Sequence, residues 1–172
     1  MENIVLIGMP GAGKSSIGVV LAKKIGFSFV DSDLLIQERE GMLLHEIMEK
    51  KGLGSFKEIE NQVNASIVVE NTVIATGGSV VYGREAMEHL HSIGRVVYLQ
   101  LPCDELVERL GDLHQRGVAM EEGQSLLSLY EERCALYEKY ADVTVQCEGK
   151  QIREVVDEIV SRCRRHEEKY DK

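Results

Sequence analysis

The chain has 172 residues, 44% of them hydrophobic and 28% charged, which excludes a disordered chain and suffices for one domain of ordinary size, taken as residues 1–172. Twenty basic against 29 acidic residues give a net charge of −9, which argues against a broad surface for nucleic acid or anionic membrane; an anionic ligand has to meet a locally basic pocket. Its aliphatic runs fall far short of the roughly 18 residues of a membrane helix, and no cationic and apolar leader precedes the first motif, so a cytoplasmic protein is expected.

Residues 3–7 read as an apolar strand entering a glycine-rich turn, and residues 15–25 place Ile17, Val20, Leu21 and Ile25 at helical spacing. Further strands are expected at 27–30, 72–75, 96–99 and 143–145, their apolar patterns continuous as in strands covered on both faces. Helical patterns occupy 34–40, 43–50, 55–70, 84–93, 104–110, 124–140 and 152–166, and the residues from 164 onward read as a frayed, solvated end. Strands alternating with helices predict a three-layer α/β/α fold around a parallel five-stranded sheet, with ligands at the carboxyl ends of the strands. The polar segment 111–123, with three glycines, reads either as a surface loop or as a mobile lid.

Gly8-Met9-Pro10-Gly11-Ala12-Gly13-Lys14-Ser15 satisfies G-x-x-x-x-G-K-[ST] in the required place, after a strand and at the start of a helix. Glycines let the backbone N–H groups turn onto phosphate oxygens, the helix N-terminus adds partial positive charge, Lys14 can bridge β- and γ-phosphates and Ser15 can ligate Mg²⁺. Gly11, Ala12, Gly13, Lys14, Ser15 and Ser16 are therefore the candidate ATP-binding residues. Asp31 and Asp33 follow the second strand; one can serve the Mg²⁺ shell and the other the acceptor hydroxyl, while a simple helix N-cap at Asp33 stays open as the alternative. Four scattered cysteines without a C-x-x-C pair, and five histidines without ligand spacing, suggest neither a zinc site nor a redox dithiol.

Taken together, the phosphate loop, Asp31 and Asp33, Phe56-Lys57 with Glu60, Ala75-Thr76-Gly77-Gly78, Val96-Val97-Tyr98-Leu99, Arg109 seven residues before Arg116, Arg133 with Tyr137, and Ala141-Asp142 resemble the shikimate kinase family. The family comprises small P-loop kinases of the nucleoside-monophosphate-kinase fold, and the resemblance covers nearly the whole chain. It implies ATP-dependent phosphorylation of shikimate to shikimate 3-phosphate, in aromatic amino-acid biosynthesis, by a monomer using Mg²⁺. Asp33 would orient the acceptor hydroxyl and Asp31 would stand in the Mg²⁺ shell. Gly77 and Gly78 would line the acceptor site, Lys57 and Arg133 would grip the acceptor carboxylate, Arg116 in the lid would reach the phosphates and Arg109 would stack near adenine.

The departures from the family pattern fall on the acceptor and lid side: Lys57 for a usual Arg, Leu53 for a usual Glu, Ser79 for a third glycine, Arg116-Gly117-Val118-Ala119 in the lid, and Ala135 for a proline. Lys keeps the charge but loses the planar fork that matches a carboxylate. A kinase of the same fold acting on another small hydroxy acid or polyol is thus the nearest rival. A non-catalytic ATP-binding protein and, on the loop alone, a nucleoside-monophosphate kinase complete the alternatives.

Overall fold

The computed structural model of the protein describes residues 2–111 and 117–170, and of residues 165–170 the backbone alone. Strand β1 (Asn3–Ile7) is buried along its whole length because it is central. It pairs in parallel with β3 (Thr72–Ala75) on one side and β4 (Gly94–Gln100) on the other; β2 (Ser28–Asp31) and β5 (Val143–Gln146) form the edges, in the order β2-β3-β1-β4-β5. The chain leaves β1 toward one edge and later returns to build the other, so the carboxyl ends of β1 and β3 diverge into a crevice. Helix α1 (Lys14–Ile25) packs against α8 (Ile152–Tyr170), and α4 (Leu53–Ala65) packs against α5 (Arg84–Ile93), giving the expected three layers.

A second, smaller apolar cluster of Ile36, Ile47, Phe56, Val63 and Ala119 joins α2 (Ser32–Glu40), α3 (Leu44–Lys51) and α4 to the far side of that crevice. Helices α6 (Cys103–Leu110) and α7 (Leu126–Tyr140) complete the chain. Among the described residues no helix is long and apolar enough to cross a membrane.

Several boundaries differ from the sequence reading. The helix expected over 55–70 stops at Ala65, where the Ser66 hydroxyl donates to the Val63 carbonyl, and the β-branched run Ile67-Val68-Val69 then connects to β3 instead of prolonging the helix. Strand β4 starts two residues early, at Gly94, where a Cβ would stand 2.6 Å from the Asn3 carbonyl oxygen. Strand β2 lies one residue later than expected and forms a sheet edge, only partly buried, with polar Ser28 and Asp31 at its ends. Finally, α8 runs on to Tyr170, because residues 164–170 contain no helix breaker.

Asn3, 4% exposed, ties the amino end of the sheet together. Its amide nitrogen donates to the Val69 and Ile93 carbonyls at 2.8 and 3.0 Å, and its amide oxygen accepts from the Thr72 backbone N–H at 3.0 Å. Asn3→Ala leaves three buried backbone groups unpaired and should destabilise the fold by about 2–4 kcal/mol. Urea titration checks this: the midpoint should fall while the slope stays at the wild-type value.

Candidate active site

Between β1 and α1 the glycine-rich loop folds around its own lysine. Gly8 has φ 149° and lies so close to β4 that a Cβ would stand 2.8 Å from the Leu99 carbonyl oxygen, while Gly11 and Gly13 sit at φ 83° and 92°. Such conformations favour glycine strongly and turn the backbone N–H groups inward. Gly13 is the N-cap of α1 and supplies no side-chain acceptor, which leaves the first-turn N–H groups for an anion. Lys14 is buried and donates to the Gly8 and Met9 carbonyls at 2.7 and 2.8 Å, using two of its three donors and keeping one for a ligand. Burial lowers its pKa to about 8, partly countered by the negative charge of Asp33.

The two aspartates at the end of β2 and the start of α2 have separate tasks. Asp31, not Asp33, caps α2: Oδ1 accepts from the Asp33 N–H at 3.0 Å, and Oδ2 accepts from the Ser15 hydroxyl at 2.6 Å. The Ser15–Asp31 pair, two oxygen donors at the foot of a phosphate loop, fits the donor set that Mg²⁺ prefers. Asp33 is half-buried, and its Oδ1 is shielded from solvent with no hydrogen-bond partner among the described residues. Burial, and next the neighbouring Asp31 charge, raise its pKa to about 6. The cap frees Asp33 to face the crevice.

Gly77 and Gly78 pass beneath this carboxylate in a tight turn after β3. A Cβ on Gly77 would stand 2.7 Å from oxygens of both Asp33 and Glu60; one on Gly78 would meet the Pro10 ring at 2.6 Å and Arg133 Nη1 at 2.9 Å. The turn is supported from below by Tyr137, whose hydroxyl donates to the Gly78 carbonyl at 2.5 Å and whose ring stacks on Tyr98. Arg133, 1% exposed, donates from Nη2 to the Ala119 carbonyl; Nε and Nη1 are buried without a hydrogen-bond partner among the described residues. Lys14, Asp33, Glu60 and Arg133 thus line one cleft of about 480 Å³, together with Gly11, Gly13, Ser15, Ser16, Gly77 and Gly78.

The remaining expected residues lie around its rim. Ala12 is buried behind the loop, and Asp31 reaches the cleft through Ser15. Arg109 donates to the Gly11 carbonyl at 3.3 Å from the outer side of the loop and pairs with Glu105. Lys57 does not line the cleft; its ammonium stands 4.2 Å from the centre of the Tyr82 ring. Arg116 lies outside the described residues, as does the segment 112–116 of the expected lid. On the lid's far side Val118 and Ala119 are buried, and both line the cleft.

Glu60 received no role from the sequence. Phe56, Glu60 and Val63 recur at i, i+4, i+7 on the buried face of α4, so a carboxylate set in that stripe is the signal. It accepts from the Ser79 hydroxyl, and burial raises its pKa to about 7.

A glycine loop on the central strand, a buried lysine at a helix N-terminus and an unpaired carboxylate across the switch point define a P-loop phosphotransferase. A sequence model of the shikimate kinase family matches residues 10–164. The shikimate kinase of Thermodesulfovibrio yellowstonii is 39% identical over 163 residues, covering 93% of this chain and 94% of that protein. The one from Sulfurihydrogenibium sp. is 34% identical, covering 96% and 99%. The structure of Acinetobacter baumannii shikimate kinase in complex with shikimate superimposes with a TM-score of 0.88 at 30% identity, covering 96% of this chain and 94% of that one. The chain belongs to the shikimate kinase family.

Folding raises the Glu60 pKa from 4.5 to about 7, so the folded chain binds this proton more tightly than the unfolded one. Its contribution to stability is complete below the unfolded value and is lost as pH rises through the folded one, a difference of about 3 kcal/mol. The difference between the unfolding free energies at pH 5 and pH 8, measured by urea titration, should therefore be smaller in Glu60→Gln than in the wild type by about 2–3 kcal/mol.

Proposed function

We propose that the protein transfers the γ-phosphoryl group of ATP to the 3-hydroxyl of shikimate. The observation that carries this reading is the meeting, in one cleft, of a phosphate loop, the Asp33 carboxylate with an unpartnered oxygen and the buried Arg133 guanidinium with two unpartnered nitrogens. A phosphate chain, a hydroxyl and a carboxylate are the three groups such a cleft can hold at once. The likeness to a family member crystallised with shikimate supports the same acceptor.

Lys14 and the inward backbone N–H groups of the loop bind the β- and γ-phosphates and offset charge that develops on them. Ser15 and Asp31 would hold Mg²⁺, which, when bound with ATP, neutralises phosphate charge. Asp33 accepts the acceptor's hydroxyl hydrogen and aims its oxygen at the γ-phosphorus; its raised pKa makes it a competent proton acceptor near neutral pH. Arg133 holds the acceptor carboxylate and so fixes the far end of the molecule, turning the transfer into a reaction between pre-positioned groups. Arg109, bonded to the Gly11 carbonyl beside the loop, would stack against the base of the nucleotide, and Arg116 would close over the phosphates.

Lys14→Ala should lower turnover by two to three orders of magnitude, about the effect of losing one preorganised charge-stabilising donor, with a cooperative unfolding transition retained. Steady-state assays with calorimetry check it, and near-normal turnover would refute the phosphate-loop assignment.

Asp33→Asn should reduce kcat on the order of 100-fold with ATP affinity almost unchanged. The wild type, assayed with Mg-ATP against shikimate, gluconate, nucleoside monophosphates and buffer alone, should phosphorylate shikimate preferentially. Transfer to gluconate or to a nucleotide instead would overturn the acceptor, and ATP hydrolysis without any acceptor would overturn the transferase reading.

A further inference from the structure

Resting on that reading, we infer that Tyr82 is a positioning residue for the acceptor: its ring holds both the Lys57 ammonium and the Arg133 guanidinium beside the carboxylate end of the cleft. Lys57 Nζ stands 4.2 Å, and Arg133 Cζ 5.5 Å, from the centre of this ring. Both fall within the roughly 6 Å over which a ring face attracts a cation.

The ring is itself fixed. Tyr82 closes a 3₁₀ turn (Val80–Tyr82) that follows directly on Gly77-Gly78-Ser79; Val80 and Val81 are buried, and the Tyr82 N–H donates to the Ser79 carbonyl at 3.1 Å. At the other end its hydroxyl donates to Glu132, the residue before Arg133 on α7. One side chain therefore spans α4, the glycine turn and α7, three of the elements that make the acceptor end of the cleft.

Lys57 needs such a partner. It makes no hydrogen bond or ion pair among the described residues, and Leu53, its neighbour one turn earlier on α4, is apolar and packs in the second core cluster. A lysine on a flexible stem is poorly aimed by itself. Two cations also repel when they converge, and the negative ring face lowers that cost while leaving both heads their remaining donors. The ring thus does for a lysine what a carboxylate neighbour would do for an arginine.

The test uses the full chain with Tyr82→Phe, which keeps the ring, and Tyr82→Leu and Tyr82→Met, which remove it. Both ring-less variants should raise the shikimate KM about tenfold, with kcat and the ATP KM within about twofold, and Tyr82→Phe should stay close to wild type. In a Lys57→Ala background the effect of Tyr82→Leu should shrink, because one of the two cations is gone. A second readout needs no acceptor: with the lysines ¹³C-methylated and Lys57 assigned from Lys57→Arg, its methyl signal should be shifted upfield by the ring. That shift should persist in Tyr82→Phe and vanish in Tyr82→Leu. An unchanged shikimate KM in both ring-less variants overturns the inference. So does an equal rise for Tyr82→Phe, which would assign the effect to the Glu132 hydrogen bond, or a parallel loss of kcat and both KM values, the mark of a merely structural residue. A wild type that shows the upfield shift yet leaves shikimate unphosphorylated overturns the acceptor reading and not the ring contact.

Discussion

Removing charge from water costs several kcal/mol per ion unless each charge meets a partner, and this protein gathers Lys14, Asp33, Glu60 and Arg133 in one cleft. Much of the surrounding structure meets that cost. Two loop carbonyls hold Lys14, the Ser79 hydroxyl donates to Glu60, and the Ala119 carbonyl accepts from Arg133. Asp33 Oδ1 and Arg133 Nε and Nη1 keep no partner among the described residues, and they are the atoms a substrate would satisfy. An incompletely neutralised cleft binds what completes it.

The nucleotide end and the acceptor end are built differently. Loop, lysine and serine come from eight consecutive residues between a strand and its helix, so their geometry follows from local backbone conformation. The acceptor end draws on α2, α4, the turn after β3, residues 117–119 and α7, which meet only when the chain is folded. Such a site is held by side-chain packing and tolerates exchange of one contact for another. The five departures from the family pattern all lie there, and Lys57 on Tyr82 shows how one of them is accommodated.

That contrast also marks what the sequence reveals. The loop, the parallel sheet and the separation of its strands are legible because each rests on short-range periodicity and turn chemistry. Which aspartate caps α2 is not, since both stand in the same short stretch and only the backbone geometry separates a cap at Asp31 from a free carboxylate at Asp33. The overextended α4 has a local cause: Ile67 and Val69 continue an apolar pattern that tertiary contacts use for a connection. Arg133 read by itself is a solvated helix residue, and only the family resemblance gives it a role. Tyr82 carries no sequence signal, because its ring meets the two cations across 25 and 51 positions of chain.

The central place of β1 has a consequence for how the protein is made. Its partners are residues 72–75 and 94–100, and Asn3 bonds to positions 69, 72 and 93. Strand β1 precedes both of its partners in the chain, so it cannot complete its pairing until residues 94–100 have been synthesised. During that interval an apolar strand has both edges open, the condition under which parallel sheets fold slowly and meet chaperones or one another. The phosphate loop, which continues this strand and packs closely against β4 at Gly8, acquires its shape only at the close of that wait.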